Sequence, residues 1–147
     1  MDKIVQRLIR SRIANPNEII GCTPNQIEEI RLLAGGRLPP VYEVFLRKLG
    51  CGAGRFFEGT DIFYPQILTN RQGADALLQE DECEFQLSKS DFVFAIHQGY
   101  QFMYFDLSAV GDDPQVYSYM EGDGLPKIKW KHFSDLLLGA IEDYEKS

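Results

Sequence analysis

Phe92-Val93-Phe94-Ala95-Ile96-His97-Gln98-Gly99-Tyr100-Gln101-Phe102-Met103-Tyr104-Phe105 is the stretch on which the fold turns. Phe92 to Ile96 is an unbroken apolar run of strand length, and a strand apolar at every position needs cover on both faces. Gln98-Gly99 interrupts it, and Tyr100 to Phe105 resumes as a second strand rich in aromatics. Two such runs around a glycine turn predict a hairpin, although Gln is not the residue usually placed ahead of Gly there.

Reading outward toward the C-terminus, Asp112-Asp113-Pro114 is a turn, Gln115 to Met120 a strand and Glu121-Gly122-Asp123-Gly124 another turn. Lys127 to Trp130 reads as a short edge strand whose lysines discourage edge pairing. His132 to Tyr144 closes the chain as a helix, with Phe133, Leu136, Leu137, Ala140, Ile141 and Tyr144 on one apolar stripe. Gly139 within it weakens the helix by about 1 kcal/mol relative to Ala.

Toward the N-terminus, Asn70 to Gln79 predicts a surface helix, and Asp61 to Tyr64 a short strand ended by Pro65. Before them stand three helices. Asp2 to Ile13 places Ile4, Val5, Leu8 and Ile9 at helical spacing and is stopped by Asn15-Pro16. In the next, Thr23 and Gln26 form a capping box around Pro24. Ile27, Ile30 and Leu33, with Leu32 or Ala34, supply its buried stripe, and Gly35-Gly36 supplies a left-handed stop. Val41 to Leu49 carries Tyr42, Phe45, Leu46 and Leu49 on one side. The Gly50-x-Gly52-x-Gly54 run that follows comes after a helix. Phosphate-cradling loops follow a strand, so this run reads as a turn into the sheet. The prediction is an α+β fold with N-terminal helices, a central mixed or antiparallel-rich sheet and a C-terminal helix.

The 147 residues fit one domain over residues 1–147, and the eighteen aromatics (ten Phe, seven Tyr, one Trp) supply ample core. No apolar run is long enough for a membrane span, and Arg7, Arg10 and Arg12 break up the N-terminus, which predicts a cytoplasmic protein. Fifteen basic against twenty-two acidic side chains give a net charge of −7. Nucleic acid rewards Lys and Arg, so direct nucleic-acid binding is disfavoured, whereas a basic protein partner suits this balance. The basic first helix lacks an aromatic anchor, so it is expected to pack on the domain rather than on a membrane.

Chemistry is sparse. Cys22, Cys51 and Cys83 form no C-x-x-C pair and lie beside neither histidine, so no disulfide framework and no metal site is assigned. No nucleophile elbow is present. His97, at the end of a buried strand, is a hydrogen-bonded structural residue or, in a hydrolase reading, a base needing a nucleophile and a carboxylate beside it. His132 starts the last helix. Glu80, Asp81, Glu82 and Glu84 form either a solvated loop or a docking patch for a cationic partner. No catalytic, cofactor or metal residue is assigned.

Ordered motifs carry a resemblance. Leu38-Pro39-Pro40-Val41-Tyr42-Glu43-Val44-Phe45-Leu46 followed by Gly50-Cys51-Gly52 resembles the Leu-Pro…Tyr…Phe-Leu…Gly-Gly pattern of the SUKH superfamily, in its Smi/Knr-like group. Phe92-Val93-Phe94, His97 to Phe102, Asp113 to Tyr117 and Phe133 to Leu137 agree in order and spacing, so the likeness runs from about Ile20 to the C-terminus. Leu49-Gly50-Cys51 departs from it, since the family often places Asn or Asp before the glycine turn. The resemblance implies an α+β fold without catalytic residues, and a structural role for Pro39, Tyr42, Phe45 and Gly52 at the helix-to-sheet junction and for Gly99 and Tyr100 at the hairpin.

Bacterial members of that group are immunity proteins that bind and neutralise toxins, often nucleases, used between competing cells. The expected function is therefore a non-catalytic binding module that occludes the active site of a basic cognate toxin, acting as a monomer or weak homodimer. The alternative is an intracellular regulatory or scaffold protein for an endogenous partner. From charge and turn position, Asp112, Asp113, Glu121 and Asp123 are the candidate contact acids, with Tyr100 and Tyr119 as aromatic anchors.

Overall fold

The computed structural model describes residues 1–109 and 111–147. The chain runs α1 (Asp2–Arg10), β1 (Ile19–Ile20), α2 (Pro24–Leu33), α3 (Pro40–Leu49), β2 (Gly52–Ala53), β3 (Thr60–Asp61), α4 (Asn70–Glu80), β4 (Asp91–His97), β5 (Gln101–Asp106), β6 (Val116–Met120), β7 (Lys127–Trp130) and α5 (Phe133–Lys146). Strands β3 to β7 pair in chain order, every neighbour antiparallel, so the sheet is a pure meander. At the central hairpin, Gln98 and Gly99 both take left-handed φ, +50° and +77°, the mirror-image turn that matches strand twist.

The apolar run in β4 is covered on both faces. Phe92, Phe94, Met103, Phe105 and Val116 join the core under α3 and α5, whereas Val93, Phe102, Tyr104 and Tyr119 face Ala74, Leu77 and Leu78 of α4. An irregularity between Val93 and Ala95 turns Ala95 to the first face. Tyr42 of α3 stands at the centre of that face, edge-on to Phe133 and Phe105 with ring centroids 5.4 and 5.3 Å away. Such edge-to-face pairs add to the area they bury.

Four sequence-based expectations are corrected. Helix α1 ends at Arg10 rather than Ile13, because Arg12 turns left-handed (φ +59°) and sends Ile13 and Ala14 into the core. In α2 the buried line is Ile27 and Ile30, continued by half-buried Ala34 at the C-terminal cap, while Leu32 and Leu33 are 69% and 52% exposed. At about 100° per residue Ala34 falls in the arc between Ile27 and Ile30, whereas Leu33 falls outside it. The glycine run enters a separate two-stranded sheet, Gly52 opposite Ile20, instead of the main one. The strand expected over Asp61 to Tyr64 stops at Asp61: the Ile62 amide turns back to the Thr60 carbonyl (3.1 Å), and the Asn70 side chain donates to the Asp61 carbonyl (2.7 Å). Gly139 also has a reason beyond tolerance, since a Cβ there would lie 2.5 Å from the Trp130 ring.

Candidate partner-binding surface

The four candidate acids do not form one patch. Asp112 and Asp113 precede β6, and Glu121 and Asp123 follow it. At about 3.3 Å per residue the strand alone holds the pairs roughly 13 Å apart. At the first end, exposed Asp112 uses its carbonyl to accept from the Val41 amide (3.1 Å) at the start of α3. The Asp113 carboxylate accepts from the Ser134 amide (3.0 Å) and from the Ser134 hydroxyl, satisfying donors that the first turn of α5 leaves open. Asp113 is thus tied up as a helix cap.

The second end gathers more acid than its turn alone supplies. Helix α4 closes with Glu82 in a left-handed conformation (φ +50°) and the Cys83 amide reaching back to the Leu78 carbonyl (3.0 Å). That closure swings Asp81 to Phe85 against the β6–β7 turn. The Asp81 carboxylate accepts from the Gly122 amide (2.9 Å) and from the Tyr119 hydroxyl, and the Cys83 thiol donates to the Gly124 carbonyl (3.0 Å). Asp123 closes its own turn by accepting from the Met120 amide (2.9 Å). An open groove of about 520 Å³ results, with Asp81, Glu82, Glu84 and Asp123 around half-buried Phe85 and a Leu125 that is 65% exposed. Glu121 stands beside it, its amide donating to the Tyr100 carbonyl (2.8 Å), so Tyr100 at 37% exposure belongs to this end of the sheet.

Tyr119 does not serve as a surface anchor. It is fully buried, stacked on Phe102 at 5.5 Å, and its hydroxyl is spent on Asp81. That hydroxyl, followed by the Gly122 amide, holds the Asp81 carboxyl below its ordinary range. Burial, reinforced by the bond to Asp81, pushes the Tyr119 phenol up. The structural residues of the resemblance fall as follows: Pro39 is buried and precedes α3, Tyr42 and Phe45 lie in the core, Gly52 pairs in the small sheet and Gly99 makes the hairpin turn.

His97 is half-buried, its Nδ1 2.7 Å from the Thr60 hydroxyl, on the wall of an open groove of about 320 Å³ beside α5. Glu58 and Asp143 line that groove, yet among the described residues no carboxylate hydrogen-bonds the imidazole, so the third member of a nucleophile–base–orienter set is missing. His132 stands immediately before α5 and pairs with Asp135 (3.2 Å). Among the described residues no three His, Cys, Asp or Glu side chains converge as metal ligands, and no helix is long and apolar enough to cross a membrane.

A five-stranded antiparallel meander, clasped by α3 and α5 on one face and α4 on the other, with a groove lined by Asp81, Glu82, Glu84 and Asp123 at one end of the sheet, makes a small α+β fold. The SMI1 / KNR4 family (SUKH-1) model matches residues 21–139, and the chain belongs to that family. The match opens at Gly21, after β1, and ends within α5. Comparison with curated proteins gives no match.

Proposed function

We propose that this protein is a non-catalytic binding module of the immunity type, which neutralises a basic cognate toxin in the cytoplasm by covering its active site. The observation that carries the reading is the acidic groove between the α4 closure and the β6–β7 turn, in a chain of this family. A groove with acids at its rim and Phe85 and Leu125 within it suits a partner that presents Lys or Arg around an apolar contact. The rim acids act through encounter rate and salt dependence, and the apolar floor through residence time.

The binding set is therefore Glu82, Glu84, Glu121, Tyr100 and Leu125, with Asp112 and Asp113 left out. The test is to read the genes beside this one for a toxin-like product, co-purify the two proteins, and then ask whether this chain rescues cells that express that product. Glu82→Gln, Glu84→Gln and Glu121→Gln together are expected to slow association roughly tenfold at low salt, and to flatten its salt dependence. Unchanged association and salt dependence would remove the groove from the interface. Binding to a host protein without rescue from any toxin would favour the regulatory alternative.

A further inference from the structure

Two cysteines that the sequence keeps far apart are neighbours. Cys22 follows β1 and Cys51 precedes β2, and the pairing of those strands brings the Cys22 and Cys51 sulfurs to 3.6 Å. The backbone on both sides is tied down. The Cys22 amide donates to the Leu46 carbonyl and the Cys51 amide to the Ile20 carbonyl, each at 2.8 Å. The Cys22 sulfur has its room because residue 50 is glycine: a Cβ there would come within 2.6 Å of it. All three cysteines are reduced in this structure. Cys22 is buried, while Cys51 is half-buried, its thiol directed at the Gln26 side-chain oxygen (3.4 Å).

We propose that Cys22 and Cys51 are a peroxide-oxidisable dithiol that closes into a disulfide staple between the β1–α2 and α3–β2 corners. The accessible Cys51 sulfur attacks one oxygen of hydrogen peroxide. An S–O bond forms, the O–O bond breaks, and the leaving hydroxide takes the thiol proton as water, giving Cys51 sulfenic acid. The Cys22 sulfur then attacks the Cys51 sulfur. The S–S bond forms, the S–O bond breaks, and the departing hydroxide removes the Cys22 proton as a second water. Two thiols have given two electrons to one peroxide.

The division of labour follows from burial. Desolvation first, and the contact with Cys51 second, push the Cys22 thiol up to about 12, so it stays protonated and waits for an oxidised neighbour. A disulfide bond needs about 2.05 Å between sulfurs, so the side chains must close by roughly 1.5 Å, which rotation of half-buried Cys51 provides. The staple ties off a loop containing α2 and α3, and closing a loop of that length raises the melting temperature by roughly 5–15 °C for a chain of this size.

The experiment treats the intact protein with hydrogen peroxide, removes the peroxide, unfolds the protein in guanidinium chloride with iodoacetamide to block every remaining thiol, and maps peptides without reduction. The expected product has lost two hydrogens, links Cys22 to Cys51, leaves Cys83 alkylated, melts at higher temperature and reverts with dithiothreitol. Cys83→Ser is expected to form the staple unchanged, and Cys51→Ser to leave Cys22 alkylatable. Three results would overturn the proposal: Cys51 advancing to sulfinic acid beside a free Cys22, a link through Cys83, or Cys22 and Cys51 both alkylatable under conditions that oxidise Cys83.

Discussion

Gly21→Ala isolates one close approach on which the packing of α2 and α3 depends. The Gly21 backbone is not left-handed, so alanine is conformationally acceptable there. Taken alone, its effect on the unfolded chain would stabilise by about 0.4–1 kcal/mol. The added Cβ, however, would stand 1.9 Å from the Arg47 carbonyl oxygen and 2.8 Å from its carbon. A comfortable carbon–oxygen approach is about 3.3 Å, so the β1–α2 link and the last turn of α3 must part by roughly 1.4 Å. The partners available to give way are backbone.

That displacement strains two hydrogen bonds, Cys22 amide to Leu46 carbonyl and Cys51 amide to Ile20 carbonyl, both 2.8 Å. At about 1 kcal/mol each, with about 1–3 kcal/mol for overpacking, the loss is about 3–5 kcal/mol, and about 2–4 remains after the entropic gain. Urea denaturation followed by circular dichroism measures it. With a slope of about 2 kcal/mol/M, the midpoint is expected to fall by about 1–2 M at unchanged slope. A midpoint equal to or above that of the parent would refute the close-approach argument.

Gly139→Ala sets helix propensity against packing: about 1 kcal/mol of gain opposes a Cβ placed 2.5 Å from the Trp130 ring. The expected outcome is no gain or a loss, with a changed emission spectrum from the chain's single tryptophan; in a Trp130→Leu background the same substitution is expected to stabilise. Full stabilisation with unaltered emission would count against that contact. The Arg7 guanidinium, followed by the Ser11 hydroxyl, holds the Glu145 carboxyl down to about 2 from an ordinary 4.5. A depressed carboxyl stabilises the fold fully above its ordinary value, and that contribution is lost as pH falls from about 4.5 toward 2. Acid titration of the unfolding midpoint is therefore expected to fall less steeply in Glu145→Gln than in the parent, and parallel curves would show that α1 docks on α5 without this pair.

What the sequence revealed was local. Thr23 and Gln26 do cap α2 reciprocally, at 3.2 and 2.9 Å, because both partners lie within one helical turn. The β4–β5 hairpin was legible because two apolar and aromatic runs of strand length flank a turn that has a glycine. Leu33 is exposed because, at about 100° per residue, it lies roughly 60° outside Ile30, whereas Ala34 returns to the arc between Ile27 and Ile30. The grouping of the acids in space was not legible, because turns adjacent in sequence lie at opposite ends of β6, whereas Asp81 and Gly122, forty-one residues apart, share a hydrogen bond. The Cys22–Cys51 contact was hidden in the same way, since it depends on two-residue strands too short to leave a pattern.

The acids of this protein divide by what their oxygens already hold. Asp113 caps α5, Asp123 closes the β6–β7 turn and Asp81 joins the α4 closure to it, each accepting from at least one backbone amide. Asp123 reaches a backbone donor within its own turn, and Asp113 and Asp81 reach one across to a neighbouring element, so all three are recruited for structure. Glu82, Glu84 and Glu121 make no side-chain hydrogen bond or ion pair among the described residues, and their longer stems carry charge beyond the turn. Neutralising the aspartates would loosen the turn and change binding through the fold, confounding any reading of the interface. Neutralising the glutamates alters the field of the groove with its walls intact, and so asks about recognition alone.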